Sequence, residues 1–146
     1  MAILAHVGRT YKLDGRGAVE LARMGVILEE AKDISIALGD VGYPSQVENR
    51  KEIHDLGRKE YVAGLHDKLA AIAKFLGTNE WMAGSRLTFV DFYVYDLLDR
   101  QRLLFLPKHL NRFPTLIVYL NRMENLKGVK EYLNLRGNTP KWFSIF

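Results

Sequence analysis

The segment at 88–106 is the most apolar part of the chain, and it constrains the fold more than any other feature. Its apolar residues are Phe89, Val90, Phe92, Tyr93, Val94, Tyr95, Leu97, Leu98, Leu103, Leu104 and Phe105. They cover most sides of a helix, and such a helix belongs in the centre of a bundle. The segment therefore predicts a central helix that other helices surround.

Thr88 and Asp91 stand where this helix begins, and their spacing is that of a capping box. We expect the Thr88 hydroxyl to accept from the amide of residue 91 and the Asp91 carboxylate to accept from the amide of Thr88. Leu87 and Phe92 are spaced to form the hydrophobic staple around the box. The role predicted for Thr88 and Asp91 is structural.

Helical spacing of apolar residues recurs along the rest of the chain, whereas strict alternation typical of strands is absent. We predict helices at 2–13, 18–42 and 47–76, one from Pro114 to before Gly128, and a short last helix around Tyr132. The expected buried stripes are Met24, Ile27, Leu28, Ala31, Ile34, Leu38 and Val41, then Leu65, Leu69, Ile72 and Leu76, then Leu116, Leu120 and Met123. The fold class predicted is all-α.

Composition excludes several classes of function. A chain of 146 residues has room for one domain with a single core, and with no cysteine it can hold neither disulfides nor thiolate metal sites. The net charge of +4 comes from basic residues scattered among acidic ones, so a nucleic-acid partner is not expected. Without a signal peptide or an apolar run long enough to span a membrane, we expect a cytoplasmic protein that binds no membrane.

Few side chains are arranged for chemistry. His6, His54, His66 and His109 are far apart in the sequence, and no metal site is expected. Glu29 and Asp33 lie four residues apart on a predicted helix, where like charges repel unless a cation lies opposite. Two interpretations stay open, an exposed acidic face or a site for a cationic group of a partner or ligand. Tyr43, near the end of the same helix, could point into a cleft or into the core.

A longer set of residues resembles a known family. The run from Trp81 to Asp99, WMAGSRLTFVDFYVYDLLD, is followed by Pro107-Lys108 and by Arg112-Phe113-Pro114. This order and spacing resemble the C-terminal domain of glutathione transferases, most closely the mu class. The start of the chain, Met1-Ala2-Ile3-Leu4, is similar to the last helix of that family's thioredoxin-like domain.

The resemblance implies a right-handed helical bundle. It divides the chain into residues 1–15, the last helix of an otherwise missing thioredoxin-like domain, and residues 16–146, the helical domain. In the complete enzyme this half lines a site for hydrophobic electrophiles, to which glutathione is conjugated in detoxification. Glutathione would be the co-substrate, no cofactor is implied, and the family's enzymes are homodimers.

Particular residues carry roles through this resemblance. Asp33 matches the acidic residue that reaches the amino group of glutathione bound by the other subunit. Tyr43 matches the proton donor of the electrophile site, and Trp142 falls near an aromatic residue of the C-terminal tail that walls it. Ile36 and Asp40 fall on the same wall, where Asp40, like Lys32, replaces a residue that is more commonly apolar.

The chain contains neither the family's N-terminal strands nor the tyrosine that stabilises the glutathione thiolate. We therefore expect this chain alone to be inactive. The alternative interpretation is a non-catalytic helical domain that mediates protein interactions.

Overall fold

The computed structural model of the protein describes residues 2–42, 51–105 and 107–136. The helices are α1 (Ala2–Thr10), α2 (Gly17–Gly42), α3 (Lys51–Leu76), α4 (Phe89–Phe105), α5 (Pro114–Glu124) and α6 (Lys127–Arg136), with a 3₁₀ helix at Pro107–Arg112. No strand occurs in these ranges, where the sole ladder pairing is an isolated bridge between Trp81 and Gly84. The predicted all-α bundle is confirmed. None of the described helices is long and apolar enough to cross a membrane.

Helix α4 is the centre of the bundle, as its composition predicts. It packs against α1, α2, α5 and the 3₁₀ helix. Val90, Val94, Leu97 and Leu98 are completely buried along it. Each side chain of this kind contributes roughly 1.5–3 kcal/mol when it leaves water. The contacts of α4 therefore hold the surrounding helices together.

Helices α2 and α3 pack against each other and present the apolar stripes expected from their spacing. In α2 the predicted stripe is buried except for Leu28, which is partly exposed. In α3 the four predicted leucine and isoleucine residues are buried, and Tyr61 extends the stripe toward the start of the helix. Arg23 links α2 to the end of α3 and to the connection that follows it. Its guanidinium donates to the carbonyl of Phe75 at 2.8 Å and to that of Met82 at 3.2 Å.

Helix ends follow the sequence where Gly or Pro is present. Gly77, at φ 57°, ends α3, and Pro114 is at the start of α5. Helix α1, however, ends at Thr10, earlier than predicted. Lys12 adopts φ 57°, and the amide of Leu13 donates to the carbonyl of Gly8 at 2.7 Å, so a Schellman motif closes the helix without a glycine.

The sequence predicts no helix between residue 106 and Pro114, but the structure has a 3₁₀ helix at Pro107–Arg112. Leu110 is buried on its inner side, and its carbonyl accepts from the amide of Phe113 at 2.8 Å. This short turn brings the chain back to α4 before α5 begins.

The N-terminus of α4 is held by Asp91, which is completely buried. One carboxylate oxygen accepts from the amide of Thr88 at 2.8 Å and from the Thr88 hydroxyl at 2.9 Å. The other accepts from the amide of Met82 at 2.8 Å. The phenol of Tyr119 also lies within reach, 3.3 Å from the carboxylate and 2.9 Å from the Asp91 carbonyl.

One half of the expected capping box is wrong. The Thr88 hydroxyl donates to the carboxylate and does not accept from the backbone, and the amide of Asp91 donates to the Thr88 carbonyl at 3.1 Å. The physical reason is burial. A carboxylate removed from water needs every available donor, and the hydroxyl proton is one of them.

Helix α1 is fastened to the same end of α4. A Cβ atom at Gly8 would lie 2.6 Å from Cδ1 of Phe89, so the backbone of α1 rests directly on that ring. The amide of Phe89 donates to the carbonyl of Leu13 at 2.8 Å. Arg86 donates to the Asp14 carbonyl at 3.2 Å and to Glu20 at 2.9 Å, which joins the turn after α1 to α2.

We predict that Thr88→Ala lowers the free energy of unfolding by about 0.5–2 kcal/mol, because it removes a buried hydrogen bond to a carboxylate while leaving the amide bond in place. Denaturant unfolding monitored by circular dichroism measures this. Thr115→Ala, at an exposed position of α5, is the matched control and should leave the midpoint unchanged. Equal midpoints for wild type and Thr88→Ala would show that the hydroxyl contributes nothing.

Candidate functional site

The outer face of α2 carries the candidate ligand-contacting residues that the structure describes. Positions 29, 33, 36 and 40 follow one another at helical spacing and share one face. Asp33 is exposed and Ile36 is 57% exposed, on the side away from the buried stripe. The structure thus brings Asp33 and Ile36 together on a surface open to a partner or ligand.

A lysine lies between the carboxylates of this face. Nζ of Lys32 lies 2.9 Å from the carboxylate of Glu29. The hydrogen bond to Glu29 raises the pKa of Lys32, and the charges of Glu29 and Asp33 act in the same direction. The repulsion expected between Glu29 and Asp33 is therefore offset within the chain. An ion pair this exposed to water contributes little to stability, so it leaves the face free to rearrange around a ligand.

Three of the predicted site residues are not placed by the structure. Tyr43 and Trp142 lie outside the described residues. Asp40 belongs to α2, but its side chain is not described. Their roles remain predictions.

A groove that was not predicted from the sequence lies between α4 and α6. Its volume is about 450 Å³. Its apolar and aromatic lining is formed by Leu87, Phe92, Tyr95, Leu126, Val129 and Tyr132. Helix α6 packs on α5, and the groove lies where α6 passes the side of α4 that carries Phe92 and Tyr95.

Two aspartates also line the groove. Asp99 is buried and lies 2.6 Å from Arg102, which also contacts Glu124 at 2.8 Å. The side chain of Asp96 is 52% exposed and lies 3.0 Å from Arg100. Phe92, Tyr95, Asp96 and Asp99 recur at helical spacing, a signal in the sequence that α4 has one partly polar side.

The buried titratable groups are structural. Burial raises the pKa of Asp91, although hydrogen bonds from Met82 and Thr88 oppose the shift. Burial and the neighbouring Asp91 raise the pKa of Tyr119 well above its ordinary value. Both side chains lie inside the bundle. Among the described residues, no three acidic or histidine side chains are grouped to hold a metal ion.

Helix α1 and the residue that follows it, Tyr11, expose an apolar stripe. Ile3, Val7 and Tyr11, spaced by one helical turn, are 82%, 42% and 72% exposed. The opposite side of α1 holds Gly8 against Phe89. A stripe of this kind on a helix already anchored to the domain marks a surface that another segment or chain can cover.

We predict that the isolated chain self-associates through this stripe, because covering it removes apolar surface from water. Sedimentation velocity at several concentrations should show a concentration-dependent shift. Val7→Glu should reduce the shift, and Val118→Glu, at a similarly exposed position of α5, should not. A clean monomer at every concentration would contradict the prediction.

Comparison with known proteins gives a consistent result. A family model described as the C-terminal domain of glutathione S-transferase matches residues 41–136. Glutathione S-transferase Mu 2 of Rattus norvegicus is 38% identical over 132 residues, which cover 90% of this chain and 57% of the relative. Glutathione S-transferase Mu 1 of Homo sapiens is 35% identical over 140 residues, which cover 96% of this chain and 61% of the relative. The chain therefore spans less than two thirds of the length of these relatives.

Solved structures are similar in fold. The Pi-class glutathione S-transferase of Onchocerca volvulus superimposes with a TM-score of 0.79 at 26% identity, over 92% of this chain and 63% of that one. The glutathione S-transferase Blo t 8 gives the same TM-score and identity over 91% of this chain and 61% of that one.

Proposed function

The chain belongs to the glutathione S-transferase family, whose C-terminal domain it contains, and from this premise we propose that it is the electrophile-binding half of a mu-class-like glutathione transferase. The family match over residues 41–136 is the observation that carries the proposal. In this function the complete protein conjugates glutathione to hydrophobic electrophiles in the cytoplasm. Glutathione is the co-substrate, and no further cofactor takes part.

Residues 1–15 are, in this proposal, the last helix of a thioredoxin-like half, and residues 16–146 form the helical domain. The exposed stripe of α1 supports the division. Ile3, Val7 and Tyr11 face away from the bundle, where a second half would cover them.

The face of α2 forms one wall of the proposed site. Ile36 offers an exposed apolar surface to the electrophile, with Asp40 one helical turn further and Trp142 on the C-terminal segment. Tyr43 supplies a phenol that donates a proton to negative charge developing on the electrophile. The two charged residues, Lys32 and Asp40, make this wall more polar than a purely apolar site, which favours electrophiles that carry polar groups.

Asp33 acts across a homodimer in this proposal. Its exposed carboxylate attracts the amino group of glutathione bound by the other subunit. Lys32 pairs with Glu29, and Asp33, one helical turn from Glu29, is exposed on the same face. The thiolate of glutathione is generated by residues outside this chain.

We predict that this chain alone does not conjugate glutathione to a reactive aryl halide above the uncatalysed rate, because it supplies a wall and a proton donor but no group that activates the thiol. A form joined to a thioredoxin-like half should be active. In that form Tyr43→Phe should slow substrates that build negative charge on an oxygen by about 10²-fold or more, and slow aryl halides little. Tyr132→Phe, at an exposed tyrosine, is the control.

Turnover by this chain alone at an enzyme-like rate would contradict the proposal that the glutathione thiol is activated by residues outside this chain. Absence of activity in the joined form, with its fold intact, would instead support a non-catalytic interaction domain.

A second prediction concerns Asp33. In the joined form, Asp33→Asn should weaken glutathione binding by about two- to ten-fold in titration calorimetry, since an exposed charge-assisted hydrogen bond is lost. Asp67→Asn removes an exposed carboxylate from α3 and serves as the control. Unchanged affinity for Asp33→Asn would remove Asp33 from the proposed glutathione site.

A further inference from the structure

A line of partly exposed residues runs along α2 where it packs against α4, beside the exposed side chain of Ile36. The line consists of Lys32, Ser35 and Gly39, which follow one another at helical spacing. These residues form the border between the buried side of α2 and its exposed face. Arg100 of α4 reaches this border, and its Nη2 donates to the Ser35 hydroxyl at 3.0 Å.

The Ser35 hydroxyl is placed to donate a further hydrogen bond. A serine hydroxyl can accept and donate at the same time. In the part of the chain that the structure describes, this hydroxyl accepts from Arg100 and donates to no acceptor. A hydroxyl within a helix can give its proton to the carbonyl four residues earlier, as Thr10 does to His6 at 3.0 Å, but Ser35 does not. Its proton can therefore be given to a ligand.

Arg100 holds the hydroxyl in place and polarises it. The side chain of Arg100 is only 16% exposed, and Asp96 holds it at 3.0 Å. Hydrogen bonds in a chain polarise one another, so a hydroxyl that accepts from a cation donates its own proton more strongly. Because Arg100 is largely shielded from water, solvent weakens this effect little. Ser35 is thus a stronger donor than an isolated serine.

The charges around Ser35 favour an uncharged acceptor. Lys32 and Arg100 are cations that border the hydroxyl. Nζ of Lys32 lies 2.9 Å from the carboxylate of Glu29. Nη2 of Arg100 lies 3.0 Å from the carboxylate of Asp96. Each cation is offset by its own carboxylate, so no excess positive charge attracts an anion to this border.

There is room for a ligand beside the hydroxyl. A Cβ atom at Gly39, one helical turn after Ser35, would have none of the described atoms within 4 Å. The exposed side chain of Ile36 offers apolar surface next to this space. An apolar molecule that lies on Ile36 can therefore place an oxygen at Ser35 without displacing a described side chain.

We propose that Ser35 is a hydrogen-bond donor for an uncharged carbonyl or nitro oxygen of an apolar ligand that lies against Ile36, and that Arg100 is its positioning residue. The identification of this ligand as the electrophile rests on the proposed function, whereas the binding of the oxygen does not. In that function Ser35 favours electrophiles that carry such an oxygen over those that lack it. One neutral hydrogen bond gives a preference of about three- to ten-fold.

An NMR titration of the full chain tests the proposal. The probe is benzylideneacetone, an uncharged enone, which meets no thiol in this chain because the chain has no cysteine. The matched ligand is the hydrocarbon in which a methylene group replaces the carbonyl oxygen. We expect the enone to shift the amide signals of Ser35, Ile36 and Gly39. Ser35→Ala should weaken enone binding about three- to ten-fold and leave hydrocarbon binding unchanged.

Ser85→Ala removes a hydroxyl from an exposed position in the connection between α3 and α4, and it should bind the enone as wild type does. The proposal is overturned if the enone leaves the amide signals of Ser35, Ile36 and Gly39 unmoved, or if wild type and Ser35→Ala bind it equally. Equal losses of enone and hydrocarbon affinity in Ser35→Ala would assign Ser35 to packing and also overturn the proposal.

A double-mutant cycle tests the role of Arg100. Arg100→Met should weaken enone binding in the wild-type background and have no further effect in the Ser35→Ala background, because Arg100 acts through the Ser35 hydroxyl. Equal losses in the two backgrounds would show that Arg100 only maintains the structure, and would overturn its assignment as a positioning residue.

The form joined to a thioredoxin-like half separates this proposal from the proposed function. If enone binding depends on Ser35 but the joined form does not conjugate glutathione, the proposed function is wrong and the donor role of Ser35 stands. If the joined form is active but Ser35→Ala binds the enone as wild type does, the donor role is wrong and the proposed function stands.

Discussion

The buried carboxylate of Asp91 is the interaction on which the bundle depends most. It accepts hydrogen bonds from the amide of Thr88 just before α4, from the amide of Met82 in the connection between α3 and α4, and from the phenol of Tyr119 in α5. A buried charge is tolerated only when its acceptor capacity is used, so each of these segments must be in place for the others to be stable. The start of the central helix and the position of α5 are therefore set by one side chain.

The features predicted from sequence are those that depend on near neighbours. The buried stripes of α2, α3 and α5, the end of α3 at Gly77 and the start of α5 at Pro114 follow from spacing and from Gly and Pro chemistry within a few residues. The features that were missed depend on distant contacts. The Thr88 hydroxyl turns toward Asp91 because burial by Met82 and Tyr119 removes water, and those residues lie 9 and 28 positions from Asp91.

The candidate site divides in the same way. Helical spacing alone places Asp33 and Ile36 on one exposed face of α2. Family resemblance is needed to give them a role, because an exposed carboxylate and an exposed isoleucine have no chemistry of their own. The groove could not be predicted, since it depends on how α6 packs on α5, and residues 126–132 carry no pattern that specifies which helix they contact.

The anchoring of α1 has a mechanical consequence. The predicted boundary between two units, after residue 15, falls in the turn between α1 and α2. In this turn Arg9 contacts Asp14 at 3.2 Å, Arg86 donates to the Asp14 carbonyl, and the amide of Phe89 donates to the carbonyl of Leu13. These contacts fix the orientation of α1 relative to α2 and α4, so the turn does not act as a hinge. A displacement of α1, for example by a domain that binds its exposed stripe, would be transmitted through the contact of Gly8 with Phe89 to the first turn of α4. Helices α1 and α4 would therefore move together.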